Sequence, residues 1–470
     1  LRLSPPFLRL NRRRLLYPPT AAAVLAYFLF FTWKSLFLYF DQDDMYNLYM
    51  GWSKPLGDVA GANLFFWNGF SRPLGAIFYR AIFAMAGFDP LPFHIAALTI
   101  CVFNLALCFW FTRMLTGSER TAALATLIFA FQTRLMEVWF RTAVIYDVLC
   151  FTFVYLAAGI YIAARREGRD LSTGRFAAIL ACFVCALDAK EMAVCLPVFL
   201  AAYEAIFNRS KLRARACVTI GILCLMTIPY AVGKLHGPDA ISNNPDYTPV
   251  YSYARFATTW GVYLGHLFVR HTDLRGWVSM AIPAALLGIA LAARSRKLVF
   301  AWTIIFFGLL PVSFVPPRGA FVMYISYLGW ALYGAVVLVS LQDLATRTRP
   351  EYRTALACAV FALVGWRYGK FNLHDQRADP RPWLYDGPKA VRAMASQMLR
   401  MHRDFPPHAQ ILLEDDGFTT EEWTPMFILR LLYNDRDLVV DRGKMPVHGN
   451  RHDYVFSYEY GRYREVPSPR

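Results

Sequence analysis

The sequence predicts an all-α polytopic membrane protein that ends in a small soluble α/β module. Three observations carry this. Of 470 residues, 57% are hydrophobic and only 17% charged, and the mean hydropathy is +0.33. Apolar runs long enough to cross a bilayer recur from Ala21 to Trp366. Short basic clusters lie between them, as in cytoplasmic loops: Arg12-Arg13-Arg14, Arg165-Arg166-Glu167-Gly168-Arg169, Arg209 to Arg215, and Arg294 to Lys297. The formal charge of +16 is therefore loop charge, suited to membrane lipid headgroups; it argues for no nucleic-acid partner.

Anchoring the apolar runs on these clusters gives about eleven spans. They fall near 20–40, 92–112, 121–135, 144–164, 175–187, 191–207, 216–233, 277–293, 298–314, 320–340 and 353–368, with the N-terminus cytoplasmic and the C-terminus outside. A basic flank followed by an apolar run without a small-residue cleavage site reads as an uncleaved signal anchor. The first outer loop, 41–90, contains Asn63 to Ala86, where Phe65, Phe66, Trp67 and Phe70 mix with Arg72 and Arg80 as in interfacial helices. The second, 234–276, opens on His236-Gly237-Pro238-Asp239, continues through Asn244-Pro245 and holds an interfacial helix at 254–269. Residues 1–369 thus form the membrane domain and 370–470 an extracytoplasmic module. In the module, Val391, Met394, Met398 and Met401 repeat at helical spacing, and Ala409 to Leu413 and Leu438 to Val440 read as strands. Its acidic Glu414-Asp415-Asp416 and Glu421-Glu422 read as a loop and a helix start. All nine cysteines lie in apolar segments, so no disulfide framework or zinc site is implied.

Phe40-Asp41-Gln42-Asp43-Asp44-Met45-Tyr46 follows the first span directly. Three carboxylates in four residues repel one another, so a cation, a proton or a hydroxyl to be deprotonated must hold them there, unless they are simply a solvated helix end. On this topology four polar sets meet at the outer boundary: Asp41/Asp43/Asp44, Arg72, Glu137 with Arg141, and Asp188/Lys190/Glu191. Arg318 joins them from a fifth segment. Acids and bases gathered on one side from distant segments point to an active site at the membrane–water interface.

The chain here resembles the integral-membrane GT-C glycosyltransferases, which use polyprenyl-phosphate-linked sugars; protein O-mannosyltransferase (GT39-like) and TMTC-type members are the most similar. The resemblance runs through Asp43-Asp44, Ser71-Arg72-Pro73-Leu74, and Gly87-Phe88-Asp89-Pro90-Leu91-Pro92-Phe93-His94. It continues in Glu137-Val138-Trp139 with Asp147-Val148-Leu149, and in Lys190-Glu191 with Cys195-Leu196-Pro197; Arg318 and Tyr324 extend it more thinly. It covers about residues 25–210. The C-terminal module departs from the TMTC type in lacking a TPR-like repeat, and Asp41 is an additional acid at the first motif.

The resemblance implies displacement at a sugar's anomeric carbon with a polyprenyl phosphate leaving. Asp43, or else Asp44, would accept the proton of the acceptor hydroxyl. Arg72, Arg141, Lys190 and Arg318 would hold the carrier phosphate as charge develops on its bridging oxygen. Asp41, Tyr46, Glu137 and Glu191 would support the donor and acceptor. Plainer roles stand beside these: Arg72 snorkelling to headgroups, Glu137 orienting Arg141 or Trp139, Lys190-Glu191 capping the next helix, and His94 as a satisfied interfacial histidine. A divalent cation, magnesium or manganese, on Asp41, Asp43 and Asp44 is left open, with the reading leaning against a requirement. The acceptor is a protein, glycolipid or polysaccharide, and a bacterial inner membrane with the site in the periplasm is preferred. The rival readings are a lipid-linked glycan polymerase or ligase, a transporter or flippase, and a catalytically inactive scaffold relative. The transporter lacks its usual support, since neither an inverted repeat nor midplane charges are visible.

Overall fold

The computed structural model describes residues 17–64, 72–168, 170–210, 213–236, 240, 243, 245–268, 274, 276–420, 422–446 and 451–467. Arg12 to Arg14, Phe65, Phe66, Trp67, Phe70, Ser71, Arg169, Gly237 to Asp239, Asn244 and Glu421, all invoked above, lie outside the described residues. The chain opens with α1 (Tyr17–Thr32), prolonged by a 3-10 turn at Trp33–Phe37. Three helices occupy the segment read as the first outer loop: α2 (Gln42–Ser53), α3 (Leu56–Leu64) and α4 (Pro73–Ala86). The bundle continues through α5 (Pro90–Thr116), α6 (Glu119–Ala130), the single turn α7 (Glu137–Phe140), α8 (Ile145–Arg166) and α9 (Thr173–Ala189). A 3-10 turn at Glu191–Cys195 leads into α10 (Leu196–Phe207), followed by α11 (Ala214–His236) and α12 (Tyr253–Leu267). The last membrane-domain helices are α13 (Gly276–Ala292), α14 (Arg296–Leu309), α15 (Tyr324–Ala345) and α16 (Arg353–Ala378).

Among the described residues, five helical stretches are long and apolar enough to cross a membrane: Pro19–Phe37, Pro90–Thr116, Thr142–Arg166, Ala214–His236 and Ala320–Ala345. The chain is a multi-pass membrane protein. The stretches containing α8 and α15 are 78% buried and those of α1 and α11 only 28% and 22%, so α8 and α15 form the centre of the bundle. Their aromatic rings make the core. Phe129 of α6 stacks on Phe151 of α8 at 4.9 Å, Phe151 meets Tyr324 of α15 at 4.9 Å, and the Tyr155 hydroxyl donates to the Ile325 carbonyl at 2.7 Å. Gly329 lets α14 and α15 touch backbone to backbone: a Cβ there would lie 2.8 Å from the Ile305 nitrogen.

Several boundaries differ from the sequence reading, each for a local reason. The span placed at 121–135 ends at Ala130, because Phe131 and Gln132 turn extended and the side-chain carbonyl of Gln132 caps the following turn. Arg165, read as part of a solvated basic loop, is instead buried in the last turn of α8. It grips Glu204 of α10 with Nε–Oε1 at 2.7 Å and Nη2–Oε2 at 2.9 Å, and the Tyr161 hydroxyl donates to the same carboxylate. The helix read as the last span runs on as α16 through Ala378 rather than ending at 368, and it is not among the five stretches apolar enough to cross a membrane.

The C-terminal module comprises α17 (Trp383–Met401), β1 (Gln410–Leu413), α18 (Thr424–Leu432), β2 (Val439–Arg442), β3 (Tyr454–Glu459) and β4 (Arg462–Val466). Its sheet runs β2-β1-β3-β4, with β1 parallel to both neighbours and β3 antiparallel to β4. The helical repeat of Val391, Met394 and Met398 is the buried face of α17, while Met401 is half-buried. β1 and β2 fall where the sequence put strands; the β3–β4 hairpin was missed. Asp416, read as part of an acidic loop, is fully buried in a pair with Arg442, Nε–Oδ2 2.7 Å and Nη2–Oδ1 2.7 Å.

Candidate functional site

The acidic run opens α2 through a reciprocal capping box. The Asp41 carboxylate accepts from the Asp44 N–H at 2.9 Å, and the Asp44 carboxylate accepts from the Asp41 N–H at 3.0 Å. The other oxygen of Asp44 accepts from Thr142 at 2.7 Å and from Tyr79 at 3.3 Å. Asp44 is 2% exposed. Burial, then the neighbouring Asp41, pushes its carboxyl up to about 8. Asp43, one residue earlier on the helix, turns outward with its side chain 63% exposed.

One cation answers the repulsion among these acids. Arg141 donates from Nε to Asp41, from Nη2 to Asp43 at 2.6 Å and from Nη1 to Glu137 at 3.2 Å. Its guanidinium also lies 5.9 Å from the centroid of the Trp383 ring, at the start of α17. Burial pushes the Glu137 carboxyl upward, against the pull of Arg141. Arg141 is thus engaged on every nitrogen, by Glu137 four residues away and by two acids far off in the chain.

A second group is built around cations. Arg72 donates from Nε and Nη2 to Glu191 at 3.3 and 3.1 Å and lies 5.5 Å from the Tyr146 ring centroid. Lys190 donates to Asp147 at 2.8 Å and sits 5.1 Å from the Phe321 ring centroid. Arg318 lies over Tyr247, 4.2 Å to the ring centroid, donates to its hydroxyl at 3.0 Å, and its backbone N–H donates to Tyr263 at 3.1 Å. Lys234, at the end of α11, adds a fourth cation that acts on both Glu191 and Asp188.

The segment before α15 joins the two groups. Gly319 packs so tightly on Glu137 that a Cβ there would lie 2.8 Å from Oε1, while Phe321, two residues on, faces Lys190. Tyr146 is a second bridge: Arg72 lies over its ring, and its hydroxyl donates to Asn47 of α2 at 3.0 Å. Asp188 is buried, and its Oδ1 has no hydrogen-bond partner. Tyr46 is 53% exposed on α2, 6.3 Å from Phe427. His94, expected to be a satisfied interfacial ring, is buried with Nε2 unpartnered.

Sequence reasoning missed Thr142, Tyr79, Tyr247 and Lys234, and named Asp147 only inside a motif. Lys234 carried a signal, a lone cation closing an apolar run, but reads equally as the first residue of a loop. The tyrosines carried none. Among the described residues no three Asp, Glu, His or Cys side chains are arranged to hold a metal ion. Of the acidic triplet, Asp41 and Asp44 have both oxygens taken by protein donors.

No protein-family model and no curated protein matches this chain. Solved structures do. The crystal structure of ArnT from Cupriavidus metallidurans bound to undecaprenyl phosphate superposes with a TM-score of 0.51 at 13% identity, covering 94% of this chain and 92% of that one. The helical multi-span domain and the terminal mixed sheet together therefore share the fold of that ArnT structure.

Proposed function

We propose that this protein is a membrane glycosyltransferase that moves a sugar from a polyprenyl-phosphate carrier to an acceptor hydroxyl, with Asp43 as the general base. The observation that carries the reading is the placement of Asp43: an outward-facing carboxylate clamped by Arg141, beside a cluster of cations, on a fold shared with a protein solved with undecaprenyl phosphate. The acceptor oxygen attacks the anomeric carbon and its proton passes to Asp43. The bond from that carbon to the phosphate oxygen breaks, and its electron pair stays on the carrier phosphate.

Arg72, Lys190, Arg318 and Lys234 stabilise the phosphate as that charge develops. Glu191 and Asp147 hold Arg72 and Lys190 in place until the carrier enters. Arg141 orients Asp43, and Asp44 anchors the first turn of α2 from beneath. The carrier sugar is a hexose of the mannose type, as in the GT39-like members, and the protein works in a bacterial inner membrane with this face in the periplasm. Asp43 alone carries the base in this scheme, and no metal is needed for proton transfer.

The test is transfer of radiolabelled sugar from short-chain polyprenyl-phosphate donors by purified protein, run for wild type, Asp43→Asn and Asp44→Asn with and without EDTA. Turnover lost in Asp43→Asn with donor binding kept supports the base. Full rates in both variants move the site elsewhere. The absence of both turnover and donor binding in wild type would favour a transporter or scaffold.

A further inference from the structure

The end of the bundle opposite this site holds a cavity of about 1590 Å³ between α1, α5, α6, α14, α15 and α16. We propose that it binds the headgroup of an anionic phospholipid from the leaflet on that side, which the basic clusters mark as cytoplasmic. Four basic side chains line it, Arg120, Arg296, Lys297 and Arg353, against two acids, Glu119 and Asp343. The N-termini of α6 and α14 open onto it, capped by Ser118 and Ser295, so their unpaired N–H groups add positive potential.

The independent sign of a ligand is Gln342. It lines the cavity and is 4% exposed, yet neither its Oε1 nor its Nε2 has a hydrogen-bond partner. Arg120 is in a similar state: Nη2 donates to Asp343 at 2.7 Å, while buried Nη1 donates to nothing. Buried polar atoms left this way are costly unless something else pairs them. A phosphate diester supplies acceptors for Gln342 Nε2 and Arg120 Nη1, and a headgroup hydroxyl supplies the donor that Oε1 requires. The apolar walls contributed by α5, α15 and α16 suit acyl chains, which favours a lipid over a free phosphate ion.

Native mass spectrometry of the full chain, delipidated and then offered phosphatidylglycerol or phosphatidylcholine, tests this without reference to sugar transfer. Phosphatidylglycerol should be retained at least about tenfold better. Arg296→Ala with Lys297→Ala, both in the first turn of α14, should weaken it about 30-fold. Gln342→Leu, which removes the unpaired amide without adding charge, should weaken it while leaving the apo protein's melting temperature unchanged or higher. Equal retention of the two lipids, or wild-type retention in both variants, overturns the site. Complete displacement of phosphatidylglycerol by excess inorganic phosphate shows a free-anion site and overturns the lipid assignment.

Discussion

The two halves of the candidate site solve opposite electrostatic problems. At the head of α2 Asp41, Asp43 and Glu137 share one cation, Arg141, so the group stays net acidic and leaves Asp43 facing outward. Around Glu191 the balance reverses, with Arg72, Lys190, Arg318 and Lys234 outnumbering the carboxylates that hold them. A proton acceptor and a phosphate cradle cannot occupy the same spot, since each would neutralise the other. The thin partition of Gly319, Phe321 and Tyr146 keeps the acidic and cationic groups apart but adjacent, the arrangement that the proposed displacement would require.

The comparison breaks most sharply at Asp43. Asp43→Asn should lower turnover by about 10²–10⁴-fold with donor affinity kept, as radiolabel transfer and donor titration would show together. An equal fall in donor affinity would place Asp43 in the cradle instead. Arg141→Ala removes the partner of three acids and should lower stability by about 3 kcal/mol as well as turnover; Arg141→Lys should recover part of the stability but not the fork to Asp41 and Asp43. Thermal unfolding in detergent reads the first effect.

Asp44 sharpens the contrast through pH. Burial and Asp41 raise its carboxyl from 3.8 to about 8, so the folded protein holds this proton more tightly than the unfolded chain. Its stabilising contribution is therefore complete below 3.8 and lost as pH rises through 8. The melting temperature of wild type relative to Asp44→Asn should fall across that window and level off above it. A flat difference would mean that Asp44 is ionised throughout, making the head of α2 more acidic than described. On the cationic side, Arg72→Lys loses the two-nitrogen contact with Glu191 and should weaken donor binding about tenfold with turnover at saturation little changed. A loss confined to turnover would instead assign Arg72 to the chemical step.

How much of this was legible in the sequence follows from the range of each interaction. Apolar runs are local, so the multi-span helical character could be read directly, and five of the eleven spans placed from them are long and apolar enough to cross a membrane among the described residues. The helical face of α17 and strands β1 and β2 were equally local. The β3–β4 hairpin was not: Tyr460-Gly461 makes its turn with both residues at positive φ, 48° and 80°, and a tyrosine at the first position is a weak turn signal. At the site, the charged residues were visible but their partners were not. Arg141 could be paired with Glu137 from helical spacing, whereas its grip on Asp41 and Asp43 crosses about a hundred residues of chain. The same distance hid the fate of Asp44, whose burial under Tyr79 and Thr142 depends on α4 and the turn before α8 arriving together.

The smallest effect concerns what steadies the acidic half. The C-terminal module is seated on α2 itself: Trp52 donates from Nε1 to Asn434 at 2.9 Å, Arg430 donates to the Tyr49 hydroxyl at 2.7 Å, and Tyr49 stacks on Phe427 at 4.3 Å. Arg436 then closes the contact by donating to the Trp52 carbonyl at 2.7 Å. The cationic half has no comparable support from the module among these contacts, so loosening the module should move Asp43 more than Arg72. Trp52→Phe keeps the ring but removes its donor, and should lower stability by about 1 kcal/mol. Turnover should drop modestly while donor affinity holds. If donor affinity falls instead, the module steadies the phosphate cradle, and the division between the two halves is less complete than their charges imply.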